Sequence, residues 1–291
     1  MSAVRCVLDA RAALGECPVW AADERALYWV DILAPSLNRL DPASGENRSW
    51  PMPDAIGSFA LCDNGDAVLA LRSGFFRFSF ADGRLVSIAE PVKGQQGVRF
   101  NDGKASPDGR FFAGTMDEAQ LSRPLGALYR LDPDGRCHRV AEGLIVSNGL
   151  AWSADGATLF HSDSKGKAIY AWDYDAATGE IAHRRVVARP DEAIGRPDGG
   201  ACDRDGYYWS AGISAGVINR WAPDGRLDRR IELPVPHPTC PCFGGPDMKT
   251  LYVTTLSHAM TAQQRAACPH AGSIFAIDVD VAGVPVARFK G

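Results

Sequence analysis

ALYWVD at 26–31 returns five more times in altered spelling: AVLAL at 67–71, FFAGT at 111–115, TLFHSD at 158–163, YYWSA at 207–211 and TLYVTT at 250–255. The copies stand roughly 40 to 50 residues apart, the period of one four-stranded blade of a β-propeller. After each copy comes a second alternating stretch, such as SLNRLDPASGE, GALYRLDPDGR or GVINRWAPDGR. Apolar or aromatic side chains fall at every other position, as stacked sheets require. Turn pairs punctuate the strands: Asp41-Pro42, Asn64-Gly65, Asp82-Gly83, Asp108-Gly109, Asp134-Gly135, Asp155-Gly156, Asp205-Gly206 and Asp224-Gly225. Asp-Gly and Asn-Gly supply the positive φ that tight hairpins need. The chain therefore reads as all-β, a six-bladed β-propeller forming one domain over 1–291.

Further expectations follow from that architecture. A propeller closes its ring by joining the two chain ends in one blade, so VRCVLDA (4–10) is expected as an outer strand beside GSIFAIDV (272–279). Stretches such as 181–188 and 227–233 are expected as fourth strands, and Trp29, Trp172, Trp209 and Trp221 as packing between blades. Only 259–268 (AMTAQQRAAC) has helical character.

Composition narrows the function. A net charge of −4 and the lack of any Lys/Arg run argue against nucleic acid as a partner. No segment approaches the roughly 20 apolar residues of a membrane span. The opening MSAVRCVLDARAALGE carries Arg5, Asp9 and Arg11 and lacks the apolar core of a secretory leader, so a cytoplasmic location is expected. The eight cysteines, at 6, 17, 62, 137, 202, 240, 242 and 268, are dispersed and read as reduced thiols. A zinc site from Cys240, Cys242 and His237 lacks a second ligand pair at the usual spacing and is not favoured. A monomer acting on a small molecule is expected.

The channel-lining strand of each blade lies about ten residues before the aligned copy. Those segments read GECPVW (15–20), IGSFAL (56–61), NDGKAS (101–106), SNGLAW (147–152), PDGGAC (197–202) and CFGGPD (242–247). At their heads stand Glu16, Ser58 or Gly57, Asn101, Asn148, Asp198 and Cys242. Taken singly, Asn and Asp before Gly are ordinary turn formers. Ring symmetry changes that: four oxygen-bearing side chains at one repeat position converge on one channel mouth, and such a set suits a hard divalent cation.

LGECPVW at 14–20, RFNDGKASPDGRFFAGTM at 99–116, SNGLAWSADGATLFHSDS at 147–164, RPDGGACDRDGYYWSA at 196–211 and CFGGPDMKTLYVTT at 242–255 resemble the gluconolactonase family, which includes regucalcin and luciferin-regenerating enzyme. The resemblance runs through all six repeats. It implies a six-bladed propeller with one divalent metal in the channel, calcium or zinc first, with manganese, magnesium or iron as alternatives, and hydrolysis of sugar lactones. By motif it implies Glu16, Asn148 and Asp198 as metal ligands and Arg99 and Asn101 as substrate contacts. The acidic residue that follows GTM in the family is represented here by Asp117 or Glu118. Cys17 stands where the family commonly has Gly, and a buried structural thiol is expected there.

A lactone is a cyclic ester, and its opening passes through a tetrahedral oxyanion that a divalent cation can stabilise. Asp198 is the candidate catalytic base, with water activated at the metal as the open alternative. Loops 91–100, 117–126 and 189–197 are expected to form the rim and set substrate size. His161 reads as a packing residue, and nothing in the sequence fixes a role for His237 or His258. Competing functions are a broader esterase or organophosphate hydrolase on the same site, and a non-catalytic calcium-binding propeller. The chain lacks the GH…WD signature of WD repeats and any G-x-S-x-G elbow.

Overall fold

The structure is a computed structural model and describes residues 3–258 and 260–291. Six four-stranded antiparallel sheets stand around one channel. The innermost strands are Gly15–Ala21, Ile56–Leu61, Val98–Ala105, Ser147–Trp152, Pro197–Cys202 and Pro238–Gly244, one for each of blades 1 to 6. Each of the first five blades then runs outward in chain order. In blade 6, Val4–Leu8 pairs with Ile274–Asp278, so the N-terminal strand closes the ring as expected. The helical turn is Ala262–Ala267, capped by Thr261, whose side chain and Gln264 bond each other's backbone N–H. Ala259 of the expected 259–268 helix lies outside the described residues. Among the described residues no helix is long and apolar enough to cross a membrane.

Alternation along the strands decides what packs where. Inner and second strands are buried on both faces, while outer strands such as Leu227–Glu232 alternate between half-buried and exposed residues. Neighbouring blades lock through aromatic contacts: Phe112, Trp152 and Tyr174 meet edge to face with centroids 5.3 to 5.8 Å apart. Burying one such side chain is worth about 1.5–3 kcal/mol. Trp209 is fully buried and still donates its Nε1–H to Asp203, at 2.8 Å. Trp221 donates to Ser210 Oγ at 3.0 Å, and Trp29 to Asn47 Oδ1 at 3.1 Å.

The C-terminal segment ties the blades together at the far end of the channel. Its backbone N–H groups donate from Gly283 to Met248 O (2.8 Å), Val284 to Cys202 O (2.9 Å), Phe289 to Leu61 O (2.8 Å) and Lys290 to Gly109 O (3.0 Å). These acceptors belong to blades 6, 5, 2 and 3. A cavity of about 350 Å³ lies beneath this segment, lined in part by Lys104, Trp152, Cys202 and Cys242. It sits at the end of the channel opposite the site described next.

Candidate metal and substrate site

All six inner strands break register near their first residues, between Glu16 and Val19, Ile56 and Ser58, Phe100 and Gly103, Asn148 and Ala151, Pro197 and Gly200, and Pro238 and Cys240. A bulge of this kind inserts an extra residue and re-aims the side chains beside it. Matching the strand pairings below the bulges fixes the equivalent ring positions as Glu16, Gly57, Asn101, Asn148, Asp198 and Thr239.

One expectation is thereby corrected and one open choice is resolved. The blade 6 member is Thr239, because Cys242 pairs with Tyr252 three positions further down the strand. The blade 2 member is Gly57 rather than Ser58. A Cβ on Gly57 would meet Asn101 O at 2.5 Å and Phe100 O at 2.7 Å, so blade 3 backbone occupies the space a side chain would need. The bulge also explains Cys17. It has φ +46°, and its blade 4 equivalent, Gly149, has φ +65°. Burial pushes its thiol well above the ordinary range, with the Asp102 charge acting in the same direction, and Sγ lies 3.6 Å from Gly103 O. Such a thiol is inert at neutral pH.

Side-chain clamps fix the entry to the inner strands of blades 1, 4 and 5. The Asp31 carboxylate accepts from the backbone N–H groups of Ala13 (2.8 Å) and Leu14 (3.1 Å), just before Glu16. Asp163 does the same for Ile145 (2.9 Å) and Val146 (3.0 Å), just before Asn148. In blade 5, Ser214 Oγ accepts from Arg196 N–H at 2.8 Å, two residues before Asp198. Asp31 and Asp163 end the repeated stretches ALYWVD and TLFHSD; their place at a strand end facing the next inner strand was the available signal, and sequence reasoning passed over it.

At the mouth, Asn148 donates its amide N–H to Ser164 Oγ (3.0 Å) and to the Asp198 carboxylate. Its other amide atom, Oδ1, is buried with no partner. Burial lifts the Glu16 carboxyl well above the ordinary range, with the charges of Asp198 and then Asp102 adding to the effect. Asp198 is also raised by burial; Arg196 opposes that shift and Asp102 adds to it. Two carboxylates and an orphaned amide oxygen thus face one buried space, an acceptor set that fits a divalent cation. Among the described residues no three His, Cys, Asp or Glu side chains form a ligand cluster, so a three-donor set at this mouth would include the Asn148 amide oxygen.

Below this level the channel is crossed by Lys104, from blade 3, whose Nζ donates to Gly200 O of blade 5 at 2.6 Å. Asp102 lies between, accepting from Leu150 N–H at 3.1 Å through Oδ2 and leaving Oδ1 unpaired. Asp102 feels the Lys104 ammonium, whereas the opposing cations at Glu16 and Asp198 are Arg99 and Arg196. Neither Asp102 nor Lys104 was singled out in the sequence, although both lie within the quoted NDGKAS.

Blade 3 supplies the other wall. Arg99 Nη1 donates to Asn101 Oδ1 (2.9 Å) and to Phe100 O (2.8 Å), and Asn101 Nδ2 donates to Ser147 O (3.0 Å). Glu118 sits 3.2 Å from Arg99 Nε and also pairs with Arg72, so it orients the guanidinium. Asp117 has a different task from the substrate contact expected of it. It is buried, and its oxygens accept from the backbone N–H groups of Gln120, Ser122 and Arg123 and from the Arg123 guanidinium. That guanidinium holds its carboxyl far below the usual range. Asp117 clamps its own loop.

His161 is fully buried, with Nε2 2.8 Å from Ser147 Oγ, and burial lowers it to about 3, so it is a neutral packing residue. His237 bonds Ile213 O through Nδ1 at 3.2 Å. The Cys240 and Cys242 thiols lie against their local carbonyls of Pro241 and Phe243, at 3.7 and 3.3 Å.

Comparison with known proteins identifies the family. Residues 14–257 match the family described as SMP-30/Gluconolactonase/LRE-like region. The chain is 40% identical over 291 residues to a 6-deoxy-6-sulfogluconolactonase of Pseudomonas putida, covering 99% of each protein. It is 38% identical over 294 residues to regucalcin of Gallus gallus, covering 99% of this chain and 98% of that one. The crystal structure of a calcium-binding protein, regucalcin, from Agrobacterium tumefaciens superposes with a TM-score of 0.94 at 27% identity, covering 100% of this chain and 98% of the other. With its propeller, its ring of mouth residues and this likeness along its full length, the chain belongs to the SMP-30/gluconolactonase/LRE-like family.

Proposed function

We propose that the protein hydrolyses sugar lactones of the aldonolactone type to the open aldonic acids, with one divalent cation held by Glu16, Asn148 and Asp198. The observation that carries the reading is the buried Asn148 Oδ1, without a partner, facing the space shared with the Glu16 and Asp198 carboxylates. The names of relatives support the reaction class, since the Pseudomonas putida protein is a sugar-derived lactonase. When bound, the cation supplies Lewis-acid stabilisation of negative charge on the carbonyl oxygen.

The chain's own groups do the rest. Arg99, fixed by Glu118 and Asn101, presents donors to substrate hydroxyls and holds the ring in one pose. Asp198 receives a proton from the attacking water as its oxygen bonds to the carbonyl carbon. The ring C–O bond then breaks, and the proton returns to the departing alkoxide oxygen, giving a hydroxy acid. Burial of the mouth excludes bulk water and strengthens these contacts.

The test is hydrolysis of a panel of five- and six-carbon aldonolactones by metal-replete protein, measured against spontaneous opening. Asp198→Asn and Glu16→Gln are each expected to lower kcat/KM on the order of 10²–10⁴-fold with the fold intact. Full activity in either variant contradicts the assignment. Tight calcium binding with no turnover of any lactone favours a calcium-binding propeller instead.

A further inference from the structure

We propose that Lys165 and Arg196 form an anionic subsite at the rim beside Asp198, selecting sugar lactones that carry a negatively charged group away from the reacting carbonyl. This rests on the lactonase reading and names the substrate class within it.

Both cations stand on turns that also build the site. Lys165 directly follows Ser164, whose Oγ receives the Asn148 amide at 3.0 Å. Arg196 lies two residues before Asp198, with its backbone N–H held by Ser214 Oγ at 2.8 Å. One comes from blade 4 and the other from blade 5, so they flank the same mouth. Glu192 brings the two turns together, pairing with Lys167 on the blade 4 turn and lying against Arg196 before blade 5. Partial desolvation, helped by the Arg196 charge, lowers the exposed Lys165 ammonium from its ordinary value.

Acidic partners on this side are scarce. Glu192 lies 3.1 Å from Lys167 and reaches Arg196 only at 3.8 Å. Lys165 has no ion-pair partner among the described residues. Lys167 and Arg196 share Glu192, Arg196 also acts on Asp198, and Lys165 is left over. Across the mouth the balance is closed, because Arg72 and Arg99 are matched by Asp54 and Glu118. On a chain of net charge −4, Lys165 stands on this side as a cation without an ion-pair partner among the described residues.

Like charges held together are unfavourable, and an anion seated between them removes the repulsion and gains charge-assisted hydrogen bonds. An Arg and a Lys together suit an oxyanion such as a sulfonate, phosphate or carboxylate. A neutral sugar would leave Lys165 without a counter-charge. The carbonyl end of such a substrate would face Glu16, Asn148 and Asp198, and its charged end Lys165 and Arg196.

The experiment compares kcat/KM of the metal-replete protein for glucono-lactone with that for its 6-phosphate, 6-deoxy-6-sulfonate and 6-carboxylate counterparts, in wild type, Lys165→Gln and Lys165→Glu. Binding of the corresponding aldonic acids is followed by calorimetry. Wild type is expected to favour at least one charged lactone by about tenfold or more, and the anion giving the largest preference identifies the charged group. Lys165→Gln is expected to cut the charged-to-neutral ratio about tenfold, mainly through KM, with the matching aldonic acid bound correspondingly more weakly; Lys165→Glu cuts it further. Equal kcat/KM for all four lactones in wild type, or an unchanged ratio in both variants, overturns the subsite alone. Turnover of none of the four overturns the lactonase reading on which it rests.

Discussion

Asn148 and Asp198 lie 50 residues apart in the chain, yet the amide of one donates to the carboxylate of the other at the head of adjacent inner strands. That bond commits Asn148 Nδ2 and turns its Oδ1 into the shared buried space, where it has no partner. A protein that buries an unsatisfied acceptor beside two carboxylates forgoes stability unless a cation completes the set.

The metal-free protein is therefore expected to lose stability as pH rises. Burial raises the Glu16 and Asp198 carboxyls, Asp198 to about 8, above their values in the unfolded chain. Between the ordinary carboxylate value of about 4 and that raised value, the folded state holds protons the unfolded state has released. The contribution of these groups to stability is thus present at low pH and lost as pH climbs through the window. Thermal unfolding with a chelator should show it, and a saturating divalent cation should raise the midpoint by about 5 °C at pH 8 and by less at pH 5. Equal metal-induced shifts at both values contradict the assignment.

Asp163 should matter to the site without touching it. Its carboxylate accepts backbone N–H groups from Ile145, Val146 and Gly166 at 2.9 to 3.0 Å, fixing the approach to Asn148. Asp163→Ala is expected to cost about 3 kcal/mol in denaturant unfolding and to weaken metal binding on the order of tenfold. Asp163→Asn, which keeps one acceptor oxygen, should fall between. Unchanged metal affinity in the alanine variant, as read by calorimetry, contradicts the clamp.

Gly57→Ala separates substrate positioning from metal binding. The added methyl would press on Asn101 O and Phe100 O, at 2.5 and 2.7 Å, and displace the Arg99–Asn101 wall. The variant is expected to lower kcat/KM about 10²-fold while binding metal as tightly as wild type. Parallel loss of both places Asn101 among the metal ligands instead.

The period of the repeat made the architecture legible, and ring symmetry brought Glu16, Asn101, Asn148 and Asp198 together on paper before their bulges were visible. Blade 6 slipped because the spacing from inner-strand head to repeated copy varies: Glu16, Asn101 and Asn148 stand ten residues before their copies, and Thr239 eleven. Cys242 was thus placed at the head although it stands three positions below Thr239. Asp117 looked available because its partner, Arg123, is supplied by the fold of its own loop. The Lys104 bond to Gly200 and the C-terminal ties cross long sequence separations without periodicity, so no local pattern announced them.

The central claim is that Glu16, Asn148 and Asp198 form a divalent-cation centre that opens lactones. Its most direct test is the rate of acid release from glucono-lactone by chelator-stripped protein as calcium, zinc or manganese is added back. The account predicts hydrolysis at the spontaneous rate without metal and a saturable rise with at least one of the three. Activity as high in the stripped protein as in the restored one, or a rate that no metal lifts above spontaneous opening, contradicts it.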